Sequence, residues 1–221
     1  YRAGKGLASD VVYGLLPARD GSIWVATAGG VTHFEGDAPK LYAAGESGLP
    51  RAPVFRIAEM PDRSVYVGTE AGAFRLQGDR FVPLSPLLPN DGVTSFTKDA
   101  SGALWVGTVN SGLLRLDARG VERFDSDDGL PNNRVPSLFV DREGSIWAGT
   151  NGGLLRLRDA PFTTFAREQG LSDDYVRSLL PARGGGMWIG TSRGLNLWRR
   201  DAPIRSWTRD DGLPNDSIMS L

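Results

Sequence analysis

The stretch GLPNNRVPSLFVDREGSIWAGTNGGLLRLRDAPFTTF, residues 129–165, decides the fold. Its runs VPSLFVD (135–141) and SIWAGT (145–150) are rich in β-branched and aromatic residues, and Arg142-Glu143-Gly144 between them reads as a hairpin turn. GLLRLR (153–158) and FTTFA (162–166) read as two further strands. No window in the chain carries an i, i+3, i+4, i+7 apolar stripe without Gly or Pro breaking it, so helices are not expected.

The same phrase recurs outward from this stretch. GSIWVATAGGVTHF starts at Gly21, SVYVGTEAGAFRL at Ser64, GALWVGTVNSGLLRL at Gly102 and GMWIGTSRGLNLW at Gly186. The aromatic anchors Trp24, Tyr66, Trp105, Trp147 and Trp188 are spaced by 42, 39, 42 and 41 residues. A Gly-Leu marker precedes them at 6–7, 48–49, 129–130, 170–171 and 212–213, with Asp91-Gly92 read as its counterpart in the third unit. Four short strands at this period match a propeller blade better than a solenoid rung. The expected fold is all-β: a β-propeller of four-stranded antiparallel blades. Its repeats run 7–47, 48–90, 91–128, 129–169 and 170–211, and 212–221 opens a sixth. Five units leave two arrangements open, a five-bladed ring or part of a larger one.

Each repeat position has a packing role. Alternation in SIWAGT places Ile146 on one face and Trp147 on the other, as expected where neighbouring blades cover both sides of a sheet. Two residues after each aromatic stands Gly or Ala (26, 68, 107, 149, 190), on the ring's own face, where a neighbouring blade leaves no room for more. The Thr that closes each strand (27, 69, 108, 150, 191) is read as fixing the following turn by a side-chain to backbone bond.

Composition bounds the function classes. With 25 basic and 26 acidic residues scattered over 221 positions, the chain has no block of charge to neutralise phosphates, so nucleic acid is not an expected partner. The absence of cysteine excludes disulfides, thiolate metal sites and cysteine nucleophiles. No apolar run approaches the roughly 18 residues of a membrane-spanning helix, and the residues from Tyr1 onward have no leader pattern, so any anchor is expected outside these residues.

Catalytic signals are thin. His33 is the single histidine, and it reads as an ordinary strand residue rather than a general base. The pairs Asp127-Asp128, Asp173-Asp174 and Asp210-Asp211 border the Gly-Leu marker and read as solvated turns, because DDGLPNN lacks the alternating ligands of a calcium loop. No cofactor, metal or catalytic residue is expected.

Binding is better served. The loop between second and third strands and the loop joining one blade to the next leave a blade at the same end, which displays the positions where the repeats disagree. The candidates are Arg51, Glu70, Asn110, Asn132, Asn133, Arg134, Asn151, Asp173, Asp174, Tyr175 and Arg193. These side chains suit hydroxyl-rich ligands by hydrogen bonding and stacking.

Residues 129–165, with a Gly-Leu-Pro-x-Asn opening, a Trp-x-Gly-Thr strand and a Gly-Leu-x-Arg-Leu strand in fixed order, resemble the two-component regulator propeller repeat. The second unit departs from it with Pro50-Arg51-Ala52 and Tyr66, and the third lacks the Leu-Pro opening. That resemblance implies a periplasmic or otherwise extracytoplasmic sensor module of a hybrid histidine kinase or diguanylate cyclase. Such a module is non-catalytic, binds a small-molecule or carbohydrate ligand and signals through further domains of the same polypeptide. The architecture also resembles that of streptogramin-cleaving lyases, which leaves two other readings: an interaction or self-association scaffold using open blade edges, and a propeller lyase.

Overall fold

The computed structural model describes residues 1–157, 163–183, 185–200 and 202–221. These residues form two compact units, Tyr1–Ser95 and Phe96–Leu221.

The first unit opens with a short parallel pair, Arg2–Ala3 against Gly6–Leu7. Blade 1 follows (Val12–Pro17, Ile23–Thr27, Gly30–Glu35, Ala38–Ala43), then blade 2 (Val54–Glu59, Val65–Thr69, Gly72–Gln77, Arg80–Pro83). Both are four-stranded antiparallel sheets whose strands neighbour each other in chain order. One apolar cluster joins them: Trp24, Ala26, Val31 and Tyr42 of blade 1 pack with Val54, Ile57, Val65 and Val67 of blade 2.

The unit boundary falls inside the first strand of blade 3 (Val93–Lys98, Leu104–Thr108, Leu113–Asp117, Gly120–Phe124). Blade 4 (Ser137–Val140, Ile146–Thr150, Gly153–Leu157, Thr163–Phe165) and blade 5 (Val176–Pro181, Met187–Thr191, Gly194–Arg199, Ala202–Trp207) complete the second unit. The interlock repeats from blade to blade. Trp105 and Leu113 of blade 3 pack with Val135, Ile146 and Ala148, while Trp147 and Leu154 of blade 4 pack with Val176, Met187 and Ile189 of blade 5. Trp24, Trp105 and Trp147 thus each share a cluster with the valine that opens the next blade and with the residue just before that blade's own aromatic. Burying one such ring contributes about 2–3 kcal/mol.

The small residue after each aromatic is explained by this interlock. A Cβ at Gly68 would stand 2.3 Å from the carbonyl oxygen of Val93, and at Gly149 it would stand 2.5 Å from Val176 Cγ1. Ile218 takes the same place on blade 5. Its N–H donates to the Thr191 carbonyl at 2.9 Å, as that of Val135 does to Thr108, and its Cγ2 lies 2.7 Å from where a Gly190 Cβ would be. Residues around Ile218 thus lie against blade 5 as the opening strands of blades 4 and 5 lie against the blades before them.

The Gly-Leu marker is a turn stop. Ser126–Asp128, Arg167–Gln169 and Arg209–Asp211 form single 3-10 turns, each ended by the marker glycine in the left-handed region (Gly129 φ 93°, Gly170 φ 103°, Gly212 φ 99°). A side chain is strained in that region, which accounts for glycine. The leucine beside it is buried at Leu49, Leu130 and Leu171. Asp128, Gln169 and Asp211 each accept the N–H three residues earlier, so the acidic pairs 127–128 and 210–211 cap turns.

Candidate ligand-binding site

The loops between second and third strands are held by the repeated threonine, as expected from the sequence. Thr150 Oγ1 donates to the Gly153 carbonyl at 2.8 Å and accepts the Gly152 N–H at 3.1 Å. Thr27, Thr69, Thr108 and Thr191 make the same pair of bonds. Blade 3 carries one more residue here, Thr108-Val109-Asn110-Ser111-Gly112, which lengthens the loop at Asn110.

The loops joining blades are held by a second repeated device. Asn132 Oδ1 accepts the Arg134 N–H at 2.9 Å, as Asp173 does from Tyr175, Asn215 from Ser217 and, through its hydroxyl, Ser9 from Val11. The following residue reaches back seven positions: Asn133 to the Ser126 N–H (2.9 Å), Asp174 to Arg167, Asp216 to Arg209 and Asp10 to Ala3. One oxygen of each side chain is thus committed to the loop's own shape.

Between blades 3 and 4 these loops enclose an open cleft of about 500 Å³. Five of the sequence candidates meet there, Asn110, Asn132, Asn133, Arg134 and Asn151, joined by Val109, Ser126 and Pro131. The loops press closely together: the Asn151 N–H donates to the Arg134 carbonyl at 3.2 Å, and a Cβ at Gly152 would lie 2.4 Å from the Pro131 oxygen. Asn151 Oδ1 is buried and has no hydrogen-bond partner among the described residues. Burying an acceptor unpaired costs about 1–3 kcal/mol, so this oxygen gains from a ligand that donates to it. Arg134 is the one charged side chain lining the cleft; it is exposed and makes no ion pair among the described residues.

The remaining candidates lie elsewhere. In blade 5, Asp173 Oδ2 sits 3.6 Å from Arg193 Nε, and the Arg177 guanidinium stacks 4.6 Å from the Tyr175 ring. Arg51 and Glu70 belong to the first unit, where both are exposed and the Arg51 stem lies over Gly45. Sequence reasoning missed Ser126 and Pro131 as lining residues, although both belong to the opening motif of blade 4 and its capping turn. Arg177, which orders Tyr175, had no signal in the repeat pattern.

His33 is buried and stacked on Trp24 with ring centroids 3.7 Å apart, and its Nε2 has no partner among the described residues. Burial lowers its pKa, against a smaller opposing pull from Glu35, whose carboxylate lies 3.7 Å from Nδ1.

Four stretches of the chain match the family model of the two component regulator propeller: residues 6–29, 87–110, 129–152 and 170–193. Four of the five repeats therefore each contain a stretch that matches it, 96 of the 221 residues together. The unmatched second unit is the one with Arg51 in its opening and Tyr66 as its aromatic. In the third unit the match begins at Leu87, eighteen residues before Trp105, the same interval that separates the marker glycine from the aromatic in every other unit. Leu88-Pro89-Asn90 therefore corresponds to Leu130-Pro131-Asn132, and the opening that the sequence reading placed at Asp91-Gly92 lies four residues earlier. Leucine in the marker glycine's place had hidden it.

Among curated protein sequences no relative matches. Among solved structures, the extracellular domain of a hybrid two component system from B. thetaiotaomicron superposes with a TM-score of 0.86 at 22% identity, covering 97% of this chain and 31% of that one. Virginiamycin B lyase from Staphylococcus aureus superposes with a TM-score of 0.74 at 15% identity, covering 95% of this chain and 73% of that one. These likenesses establish the propeller fold, and the chain spans about a third of the first protein's length. Among the described residues no helix is long and apolar enough to cross a membrane.

Proposed function

We propose, from the match of a stretch in four of its five repeats to the two component regulator propeller, that the chain is the extracytoplasmic sensing module of a bacterial signal-transduction protein. In this reading the cleft between blades 3 and 4 holds a neutral, hydroxyl-rich ligand such as an oligosaccharide, and further domains of the same polypeptide carry the signal onward. The observation that carries this reading is the convergence of four asparagines and Arg134 on one cleft around the unpartnered Asn151 oxygen. Side-chain amides present a donor and an acceptor side by side, which matches adjacent sugar hydroxyls. The two-component neighbour supports an extracellular location. The position of His33, sealed against Trp24, supports a module without catalysis.

The test is a thermal-shift panel of neutral oligosaccharides followed by calorimetry on the best member. A ligand present at about 100 times its dissociation constant should stabilise the fold by about 2.7 kcal/mol. Asn151→Ala and Arg134→Ala should each abolish the shift while leaving the unliganded melting curve close to that of the parent. A panel with no stabilising member, or a shift that survives both substitutions, would remove this assignment.

A second reading, association with another protein surface, rests on blade 1. Val12 and Ile23 are 43% and 46% exposed, whereas their counterparts Val135, Val176, Ile146 and Met187 are at most 4% exposed. Tyr13 and Leu15 extend this apolar strand. Sedimentation of the chain with and without Val12→Ser/Ile23→Ser tests it: a concentration-dependent oligomer lost in the variant supports association, and a monomer throughout refutes it.

A further inference from the structure

The groove between blades 4 and 5 lies at the opposite end of the strands from the asparagine cleft, and it departs from the repeat in a way the other blades make visible. In blades 3 and 4 the hairpin aspartates Asp99 and Asp141 accept the indole N–H of Trp105 and Trp147 at 2.8 Å and face Arg115 and Arg156. Blade 5 has Ala182 in the aspartate's place, Leu197 in the arginine's, and Gly186 where blade 4 has Ser145. Between blades 4 and 5 lies a cavity of about 550 Å³, within the size range of small-molecule sites, with Asp141, Trp147 and Arg156 on the blade 4 wall and Ala182, Gly186 and Trp198 on the blade 5 side.

One larger residue enters it. Trp198 occupies the position held by Leu157 in blade 4 and meets Trp147 edge-on at 4.7 Å. The Arg156 guanidinium lies 4.9 and 5.3 Å from the two indole rings. Its Nε is buried without an acceptor among the described residues.

The charges do not balance. Five arginines line the cavity (142, 156, 183, 199 and 200) against Asp141 and Glu143. Glu143 binds both Arg156 and Arg200, and Asp141 is taken by Trp147 and Arg156. Arg142, Arg183 and Arg199 have no ion-pair partner among the described residues. Three cations without an ion-pair partner among the described residues, around walls that include Phe139, Pro181 and Trp198, form a surface for a ligand with a flat apolar body and a negative end.

We propose that this groove binds a low-molecular-weight organic anion, its flat body against Trp198 and its charged group toward Arg183 and Arg199. The site is separate from the asparagine cleft and shares no lining residue with it. The experiment is calorimetric titration with 2-naphthoate and with its uncharged analogue 2-naphthamide. Naphthoate should bind at least about tenfold more tightly than the amide, and added salt should weaken it. Arg183→Gln/Arg199→Gln should weaken naphthoate by about tenfold or more, Trp198→Leu should weaken both probes, and Asn151→Ala should change neither. Equal binding of the two probes, unchanged naphthoate binding in the double arginine variant, or no heat from either probe with a folded protein would each overturn the proposal.

Discussion

Replacing Gly149 by alanine perturbs the blade interlock at one atom. The new Cβ would stand 2.4 Å from Ser137 Oγ and 2.5 Å from Val176 Cγ1. Carbon contacts settle at about 3.5–4.0 Å, so each approach is roughly 1 Å too short. Ser137 Oγ is buried, and Val176 is fully buried in the cluster with Trp147, Leu154 and Ile189. Overpacking of this kind costs about 1–3 kcal/mol. The reduced freedom of the unfolded chain returns about 0.4–1 kcal/mol, leaving a net loss of about 1–2 kcal/mol. In a domain of this size that lowers Tm by roughly 2–8 °C. Blade 1 shows how the fold accommodates the methyl group: Ala26 stands at this position and pairs with Gly14, where Gly149 pairs with Ser137. Ser137→Gly should therefore couple favourably to Gly149→Ala in a double-mutant cycle read from chemical denaturation. A Gly149→Ala variant as stable as the parent, or losses that simply add, would refute the packing argument.

Other substitutions test the remaining supports. Thr150→Val removes a buried hydroxyl that satisfies both the Gly153 carbonyl and the Gly152 N–H, and should cost about 1–3 kcal/mol by the same denaturation assay. Burial holds the His33 pKa below its usual 6.5, so the unfolded chain takes up a proton before the folded one does. Stability should fall as pH drops through 6.5 toward that lower value, and His33→Phe should remove this slope in melts between about pH 7 and 5. Burial raises the Asp141 carboxyl, but the Trp147 indole, the Ser145 and Glu143 N–H groups and Arg156 outweigh it and leave the pKa below the usual 3.8. Its contribution is present above pH 3.8 and is lost as pH falls through the folded value; Asp141→Asn should destabilise at neutral pH and flatten the acid limb of the stability profile.

The frame was legible because each of its residues does one thing five times. Trp147, Gly149 and Thr150 report a ring, a close approach and a turn, and the recurrence of each separates it from chance. The third unit shows where such reading slips: without a glycine at Leu87, the eye moved to Asp91-Gly92, although the interval to Trp105 had placed the opening. Asn132 and Asp173 stood out as loop polarity, and the structure shows that each has an oxygen committed to its own turn. Residue type alone does not reveal that commitment, because an Asx turn and a ligand contact use the same atom. The arginine groove was hidden for a different reason. Arg142, Arg183 and Arg199 come from different hairpins, and only the packing of blade 4 against blade 5 brings them to one groove.

The central claim is that the cleft between blades 3 and 4 receives the ligand, and amide hydrogen exchange tests it most directly. With the oligosaccharide that gives the largest thermal shift, protection should concentrate at residues 109–112, 131–134 and 151–152. Unchanged exchange there, with protection confined to the hairpins around 141–145 and 182–187 or spread evenly over the chain, would contradict it.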